Sequence, residues 1–586
     1  MRIIAIEAAK KPGKAGRGKF FLQRAGAAAV ANRCKHIRPN RPSVRECGIA
    51  AQGPVAKVSG LRPMLQRLLP FLSPVLLGRL LRVGLLVLFA WVFAQYWHPR
   101  HGLTSLLQID PLMARDAIPS FRDARIYVYP EEGSYYGGYY AQIATSPGLT
   151  DPALRPAVDD LGYRARRILL GAVAWVLGGG DPVGIAHAYA WLNILLWFGL
   201  ALLLWRLFPV GEWRGALAWI FVLFSAGVIF SVRLALTDLA ALLLTAGGIL
   251  LVERQRPAAA AGLLGLAGLA RETAVLGAAA LLPSVRSEWR ARRLGPLALR
   301  LAAVVLPLLL WLLYVRHAVG GSSAGQRNLS WPFAGWAGRW LELLRSPEQA
   351  GNPRFFWETV LSHVALTAQV AYLAWRPRPG CPWWRVGAAY AVLCACLGPA
   401  VWGGFPGAAV RVLLPLTLAF NVRVVRDRAA LLWLLAGNLS LFTAIHTLAI
   451  PGTPHHLPAQ GAWYSHHVLE TDARWAVAEW NSKWRWAWCA GEGGVTLETW
   501  PHRARARVEL QVRGVTPREL EVRHAGAVVW RGRIGDRPQW IPLPELPLDD
   551  GRVTLELRSI APPTAEGVAN TAREISFACY GARVVD

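Results

Sequence analysis

Charge is scarce in this chain of 586 residues. Only 17% of them are Asp, Glu, Lys or Arg, against about 25% in an ordinary soluble protein. Acidic charge is scarcest, 36 Asp and Glu against 64 Lys and Arg, which leaves a net charge of +28. The basic residues do not form one stripe. They sit in short loops between apolar runs, such as Arg286–Arg293, Arg376–Arg378 and Arg423–Arg428. Nucleic-acid binding needs a basic face on a soluble domain, so no nucleic-acid partner is expected. Cysteine is sparse too: seven residues, none in the two-pair spacing that zinc sites use. Cys394 and Cys396 lie close together in an apolar run and read as packing. The segment before Met64 has no apolar core with a cleavage site, which argues against a cleavable signal peptide.

Apolar residues fill the space that charge leaves. They make up 54% of the chain, and the mean hydropathy is +0.30. Leu80–Trp97, Ile185–Phe208, Leu217–Val232, Leu234–Val252, Leu297–Val315, Val360–Trp375, Val386–Trp402 and Leu431–Ile450 are near or above membrane-crossing length. Val410–Val425 is weaker because it contains Arg411. Ile168–Leu177 is short, and Ala258–Leu282 reads as one span or two half-helices. The expected fold is a polytopic α-helical membrane protein with about 10–12 membrane helices on the ~20-residue rule. The 28 Trp residues suit helix ends at the headgroup level.

Residues 1–62 are basic and nearly free of acid, and read as a disordered tail or as sequence upstream of a true start at Met64. Arg67, Arg79 and Arg82 precede or begin the first span. By the positive-inside rule the N-terminus is then cytoplasmic, and loops 98–165 and 317–358 are outside. The region after Ile450 falls outside as well. The first of these loops holds Asp110, Asp116, Asp123, Glu131, Glu132, Asp151, Asp159 and Asp160. Long loops without regular structure are usually functional.

Pro451-Gly452-Thr453-Pro454 ends the apolar part. A linker over 451–473 carries His455, His456, His466 and His467. These could hold a divalent metal, but no carboxylate or Cys spacing supports one. From 474 to 586, short alternating segments predict an all-β sandwich: Val495–Thr499, Arg507–Val512, Glu519–Val522, Val528–Arg531, Trp540–Pro542, Val553–Leu557 and Ile575–Ala578. Cys489 and Cys579 could bridge its first and last strands if it is exported. Trp484-Arg485-Trp486-Ala487-Trp488 reads either as sandwich core or as a sugar-stacking surface.

The most informative stretch is Tyr135-Tyr136-Gly137-Gly138-Tyr139-Tyr140-Ala141-Gln142-Ile143-Ala144 in the first outer loop. After it come Asp151-Pro152-Ala153-Leu154, Tyr163-Arg164-Ala165-Arg166-Arg167-Ile168-Leu169, Leu236-Thr237-Asp238-Leu239, Ala270-Arg271-Glu272-Thr273 and Arg411-Val412-Leu413-Leu414-Pro415. In this order the fragments resemble bacterial polytopic glycosyltransferases of the GT-C type, close to family 39 and the mannosyltransferases, some of which carry a C-terminal β-sandwich. The resemblance covers about residues 80–425 and continues into the C-terminal region. It implies a hexosyltransferase of the bacterial inner membrane. The enzyme would move a sugar from a polyprenyl-phosphate donor to a cell-envelope glycan or lipid at the outer face of the bilayer. It names no certain cofactor, and a divalent metal is possible.

The family's loop motif has an Asp after its first Tyr, and there it acts as base. Here that position holds Tyr136, and a phenol, ordinarily near ~10 in pKa, is a poor base at neutral pH. Three accounts stay open. Another loop carboxylate serves, with Glu132, Glu131 and Asp123 nearest; the chain is an inactive relative that binds lipid-linked glycan; or this copy has lost its acid. A phosphate leaving group needs cations, and Arg can bind it bidentately. Arg164, Arg166 and Arg167, where the loop re-enters the membrane, suit that role or interfacial snorkelling; Arg271 suits it or a structural ion pair; and the resemblance implies that Arg411 contacts donor phosphate or sugar. Tyr139 and Tyr140 read as sugar-stacking or loop-packing aromatics. Arg271-Glu272 lies in apolar sequence, and neighbouring residues on a helix do not face each other, so a partner elsewhere is expected, with Asp238 and Arg233 as candidates. A transporter or flippase is a further alternative, but the chain lacks the paired half-repeats such proteins show.

Overall fold

Helices form where the apolar runs lie; some break at Pro, Gly or charge, while Leu294–Val319 runs through Pro307. In a computed structural model of the protein, the residues described are 73–97, 101–122, 126–129, 133–282, 294–322, 325–345, 353–404, 407–444, 448, 456–457, 468–476, 478–480, 484–499, 503–566 and 573–585. The tail over 1–62, most of the His-rich linker and the candidate bases Asp123, Glu131 and Glu132 lie outside the described residues.

Three helices among the described residues are long and apolar enough to cross a membrane: Pro74–Ala94, Pro182–Leu207 and Leu294–Val319. A fourth follows if Trp213–Leu223 and Ala226–Arg233, bent by 41°, are one span. The sequence predicted about ten to twelve by the ~20-residue rule. The difference has a local cause. The run Val386–Trp402 divides into helices Pro382–Cys396 and Pro399–Trp402, because Pro399 has no N–H to continue the ladder. Among its described residues Leu431–Ile450 yields Leu431–Ala436 and Leu441–Ala444, and Leu234–Val252 yields Asp238–Glu253. Ala258–Leu282 resolves into the second expected alternative, a helix Pro257–Ala270 and a 3₁₀ helix Glu272–Leu281.

The first helix starts at Pro74 rather than Leu80 and places Arg82 inside the span, fully buried. Arg82 donates from Nη2 to the carbonyls of Phe208 (3.2 Å) and Pro209 (3.1 Å). It thus satisfies the open carbonyls at the end of helix Pro182–Leu207. It stacks near Trp205 and Trp219. Phe89 and Trp197 lie face to face at 3.5 Å and fasten the same two helices through their apolar sides.

Strands occupy the C-terminal part: β1 (His456–Leu457), β2 (Val468–Thr471), β3 (Glu479–Trp480), β4 (Arg485–Cys489), β5 (Glu492–Glu498), β6 (Arg505–Gly514), β7 (Arg518–His524), β8 (Ala527–Ile534), β9 (Gln539–Pro547), β10 (Arg552–Ser559), β11 (Thr564–Glu566), β12 (Arg573–Ile575) and β13 (Phe577–Val585). They build a six-stranded sheet β1-β2-β5-β10-β7-β8, a five-stranded sheet β3-β4-β13-β6-β9 and the β11-β12 pair, all antiparallel. Inward residues of both large sheets, such as Leu497, Leu555, Val508 and Ile541, share one core. The alternating burial of β10 shows why the period-two pattern was readable. The sheets begin earlier than residue 474, because β1 and β2 fall in the expected linker.

One expectation for this region needs correction. Cys489 and Cys579 are both buried and both free. Cys489 stands opposite Phe577 and Cys579 opposite Ala487, so the two are diagonal neighbours rather than a facing pair, about 7–8 Å apart in such a register and beyond the reach of a disulfide. The Trp residues in and beside β4 belong to a second, smaller core cluster. Ala487 and Cys489 point into the main core, while Trp484, Trp486 and Trp488 take the other face with Tyr580. Trp486 stacks on Tyr580 at 5.7 Å, and Arg513 lies 4.8 Å from the Trp488 ring.

Candidate functional site

The loop that follows the first apolar helix is pinned before the tyrosine motif begins. Asp110 caps helix Pro111–Asp116 by accepting from Met113 N at 2.8 Å. Its second oxygen accepts from Gly133 N and Ser134 N, both at 2.9 Å. Tyr135 N donates to Gln108 O at 2.9 Å. Two distant loop segments are therefore held together, and helix Tyr136–Thr145 starts from a fixed point. Burial works to raise the Asp110 carboxyl, but the three backbone donors outweigh it and hold the group below its ordinary value. A group with a depressed folded pKa contributes stability above its unfolded value, near ~4, and loses it as pH falls through the folded value. Asp110→Ala is expected to cost about 1–3 kcal/mol by leaving those donors unpaired, and to remove part of the acid-dependent loss below pH ~4. Thermal unfolding of the solubilised protein across pH checks both.

The motif glycines serve close approach. A Cβ on Gly137 would lie 2.4 Å from the carbonyl oxygen of Leu234, and one on Gly138 would lie 2.4 Å from Met113 Sδ. The helix start therefore presses on the turn that leads to Asp238. This brings the tyrosines to charged residues from four other parts of the chain.

Arg411 donates from Nη2 to the Tyr135 hydroxyl at 2.7 Å, and its Nη1 lies 3.8 Å from Asp238 Oδ2. Arg271 pairs with the other oxygen of Asp238. Asp238 is only 2% exposed at its side chain. Arg167 makes three contacts: Nε to Glu272 Oε2 at 2.9 Å, Nη1 to the Tyr140 hydroxyl at 2.6 Å and Nη2 to the Tyr163 hydroxyl at 3.2 Å. Tyr163 also accepts from Asn328 Nδ2 at 3.1 Å, which joins the segment after helix Leu294–Val319 to the cluster. Arg164 donates to Asp159 from Nε (3.0 Å) and Nη2 (2.7 Å). Its guanidinium sits 3.6 Å above the centre of the Tyr136 ring. Arg166 is peripheral, bonded to Gly162 O at 3.3 Å and near the Tyr163 ring.

Four guanidiniums, of Arg164, Arg167, Arg271 and Arg411, thus meet three carboxylates, of Asp159, Asp238 and Glu272. The cluster carries a surplus positive charge, and Nε of Arg271 and of Arg411 has no hydrogen-bond partner among the described residues. Such a site suits an anion. Burial opposes the charge on Arg164, yet the Asp159 hydrogen bonds outweigh it and push the group further up, so it stays charged. Burial, with Asp159 next, pushes the Tyr139 phenol up to about 12. Tyr139 therefore remains a hydrogen-bond donor at neutral pH.

The structure brings together Tyr136, Tyr139, Tyr140, Arg164, Arg167, Asp238, Arg271, Glu272 and Arg411, and leaves Arg166 at the edge. Of the two partners expected for Arg271-Glu272, Asp238 takes Arg271, while Arg233 turns to the Tyr129 hydroxyl at 2.9 Å. Arg167 is the partner of Glu272, and sequence reasoning missed it. The chain breaks between Ala270 and Glu272, with Arg271 extended, so the two charged neighbours reach opposite partners. Tyr135, Tyr163 and Asn328 were also missed as site residues. Among the described residues no three His, Cys, Asp or Glu side chains converge on a point that could hold a metal. No protein-family model matches this chain, and no curated protein matches it.

Proposed function

We propose that this protein is a GT-C-type membrane glycosyltransferase, with the polytopic helical domain and extracytoplasmic sandwich that such enzymes carry. It moves a sugar from a polyprenyl-phosphate donor to a cell-envelope acceptor. The observation that carries the reading is the meeting of the tyrosine motif with Arg167, Arg271 and Arg411, which lie far apart in sequence, in a cluster with surplus positive charge. In this reaction an acceptor oxygen attacks the anomeric carbon while the bond to phosphate breaks. Negative charge grows on the leaving phosphate, and fixed guanidiniums that are already desolvated stabilise it at little reorganisation cost. The apolar helices Pro74–Ala94, Pro182–Leu207 and Leu294–Val319 would keep the chain in the bilayer that holds the lipid donor.

Purified protein given polyprenyl-phosphate mannose, glucose and arabinose is expected to release polyprenyl phosphate from one of them. A second reading rests on one observation: Tyr136, at the expected acid position, faces a guanidinium with its ring. A binding protein of the same fold would retain the donor, measured by co-purification of labelled lipid, and release nothing from it.

A further inference from the structure

We propose that Asp159 is the base of this site, a carboxylate that takes over the function expected at position 136; the inference rests on the glycosyl-transfer reading above. Arg164 links the two positions. One face of its guanidinium covers the Tyr136 ring at 3.6 Å, and its N–H edge holds both oxygens of Asp159 at 3.0 and 2.7 Å. A negative charge absent at residue 136 is thus present one guanidinium away.

Among the described residues the neighbouring carboxylates have other partners. Asp238 is enclosed by Arg271 and Arg411. Glu272 gives its Oε2 to Arg167 and is less exposed, at 24%. Both oxygens of Asp110 are taken by backbone donors. Asp160 accepts from Tyr163 N at 2.8 Å and from the Ser322 hydroxyl at 2.6 Å. Asp159 is different: its side chain is 39% exposed, at the edge of the tyrosine and arginine cluster. Besides Arg164 it accepts only from Asp160 N, at 2.8 Å, among the hydrogen bonds described. Free lone pairs therefore face solvent where an acceptor would arrive.

The step balances without a co-reactant. The acceptor hydroxyl oxygen bonds to the anomeric carbon, and its proton passes to an Asp159 oxygen. The bond from the anomeric carbon to the phosphate oxygen breaks, and its electron pair leaves on polyprenyl phosphate. Because the carbon is cationic in such a transition state, the hydroxyl proton becomes acidic only as the new bond forms, so a carboxylate is a sufficient base.

Asp159→Asn is expected to lower kcat for polyprenyl-phosphate release by ~10²–10⁴-fold while leaving the donor KM nearly unchanged. Asp159→Glu should keep part of the activity, and Tyr136→Asp added to Asp159→Asn should recover at least ~10-fold by returning a carboxylate to the same guanidinium. If Asp159→Asn keeps the wild-type kcat while Glu132→Gln, Glu131→Gln or Asp123→Asn abolishes release, the base lies there and the inference is overturned. If Asp159→Asn weakens donor binding and kcat together, and neither rescue works, Asp159 only positions Arg164. A wild-type chain that releases nothing from any donor overturns the functional reading and this inference with it.

Discussion

Asp238→Ala is expected to destabilise the protein by about 3–5 kcal/mol, the cost of breaking a buried ion pair by removing one partner. Asp238 is held against Arg271 and near Arg411, and both arginine side chains are themselves mostly buried. Removing its carboxylate leaves two buried guanidiniums without their paired carboxylate, and one of them keeps the Tyr135 hydroxyl. Asp238→Asn should cost less, because an amide oxygen still accepts a hydrogen bond. Arg271→Met combined with Asp238→Ala should recover part of the loss, since an apolar pair of similar volume avoids the unpaired charge. The measurement is thermal unfolding of the solubilised protein. A loss below about 1 kcal/mol for Asp238→Ala would mean that water reaches the pair and that the cluster is open.

Arg167→Ala is expected to lower polyprenyl-phosphate release by ~10²–10³-fold, the usual effect of deleting one preorganised group that stabilises developing negative charge. Arg167 is the branch point of the cluster, holding Glu272, Tyr140 and Tyr163 at once. Arg167→Lys keeps the charge but cannot reach three partners in one plane, so an intermediate loss follows from geometry. Arg167→Ala also strands Glu272, and the double change Arg167→Ala with Glu272→Gln separates the two effects. Stability should return in the double variant, whereas turnover should not. Turnover that returns with stability would assign Arg167 to architecture alone.

How much was legible varied with the range of the interaction concerned. Strand positions were readable from short alternation, as in Val553–Leu557 within β10 (Arg552–Ser559). Composition also announced the apolar helices, but helix ends depend on single residues, and Pro399 shortened one run while Pro74 lengthened another. Within the site, the motif named Tyr139, Tyr140, Arg164, Arg167, Asp238, Arg271, Glu272 and Arg411 from a resemblance. Their partners were mostly not legible, because Tyr135 and Arg411 meet across 276 positions and Arg167 and Glu272 across 105. Asp159 illustrates the limit most clearly. In sequence it is one of eight loop acids; its tie to Arg164 beside the Tyr136 ring separates it from the other described ones.

The sequence by itself determined the apolar helical character, the β-rich C-terminal region and the cationic balance, since these follow from composition and from periods of a few residues. Tertiary structure alone decided which carboxylate meets which guanidinium, that Cys489 and Cys579 stay apart, and that a guanidinium covers Tyr136. Such choices depend on where a chain break or a glycine allows two segments to touch, as Arg271 and Gly137 do here. Contacts of that kind carry no local period for a sequence to show.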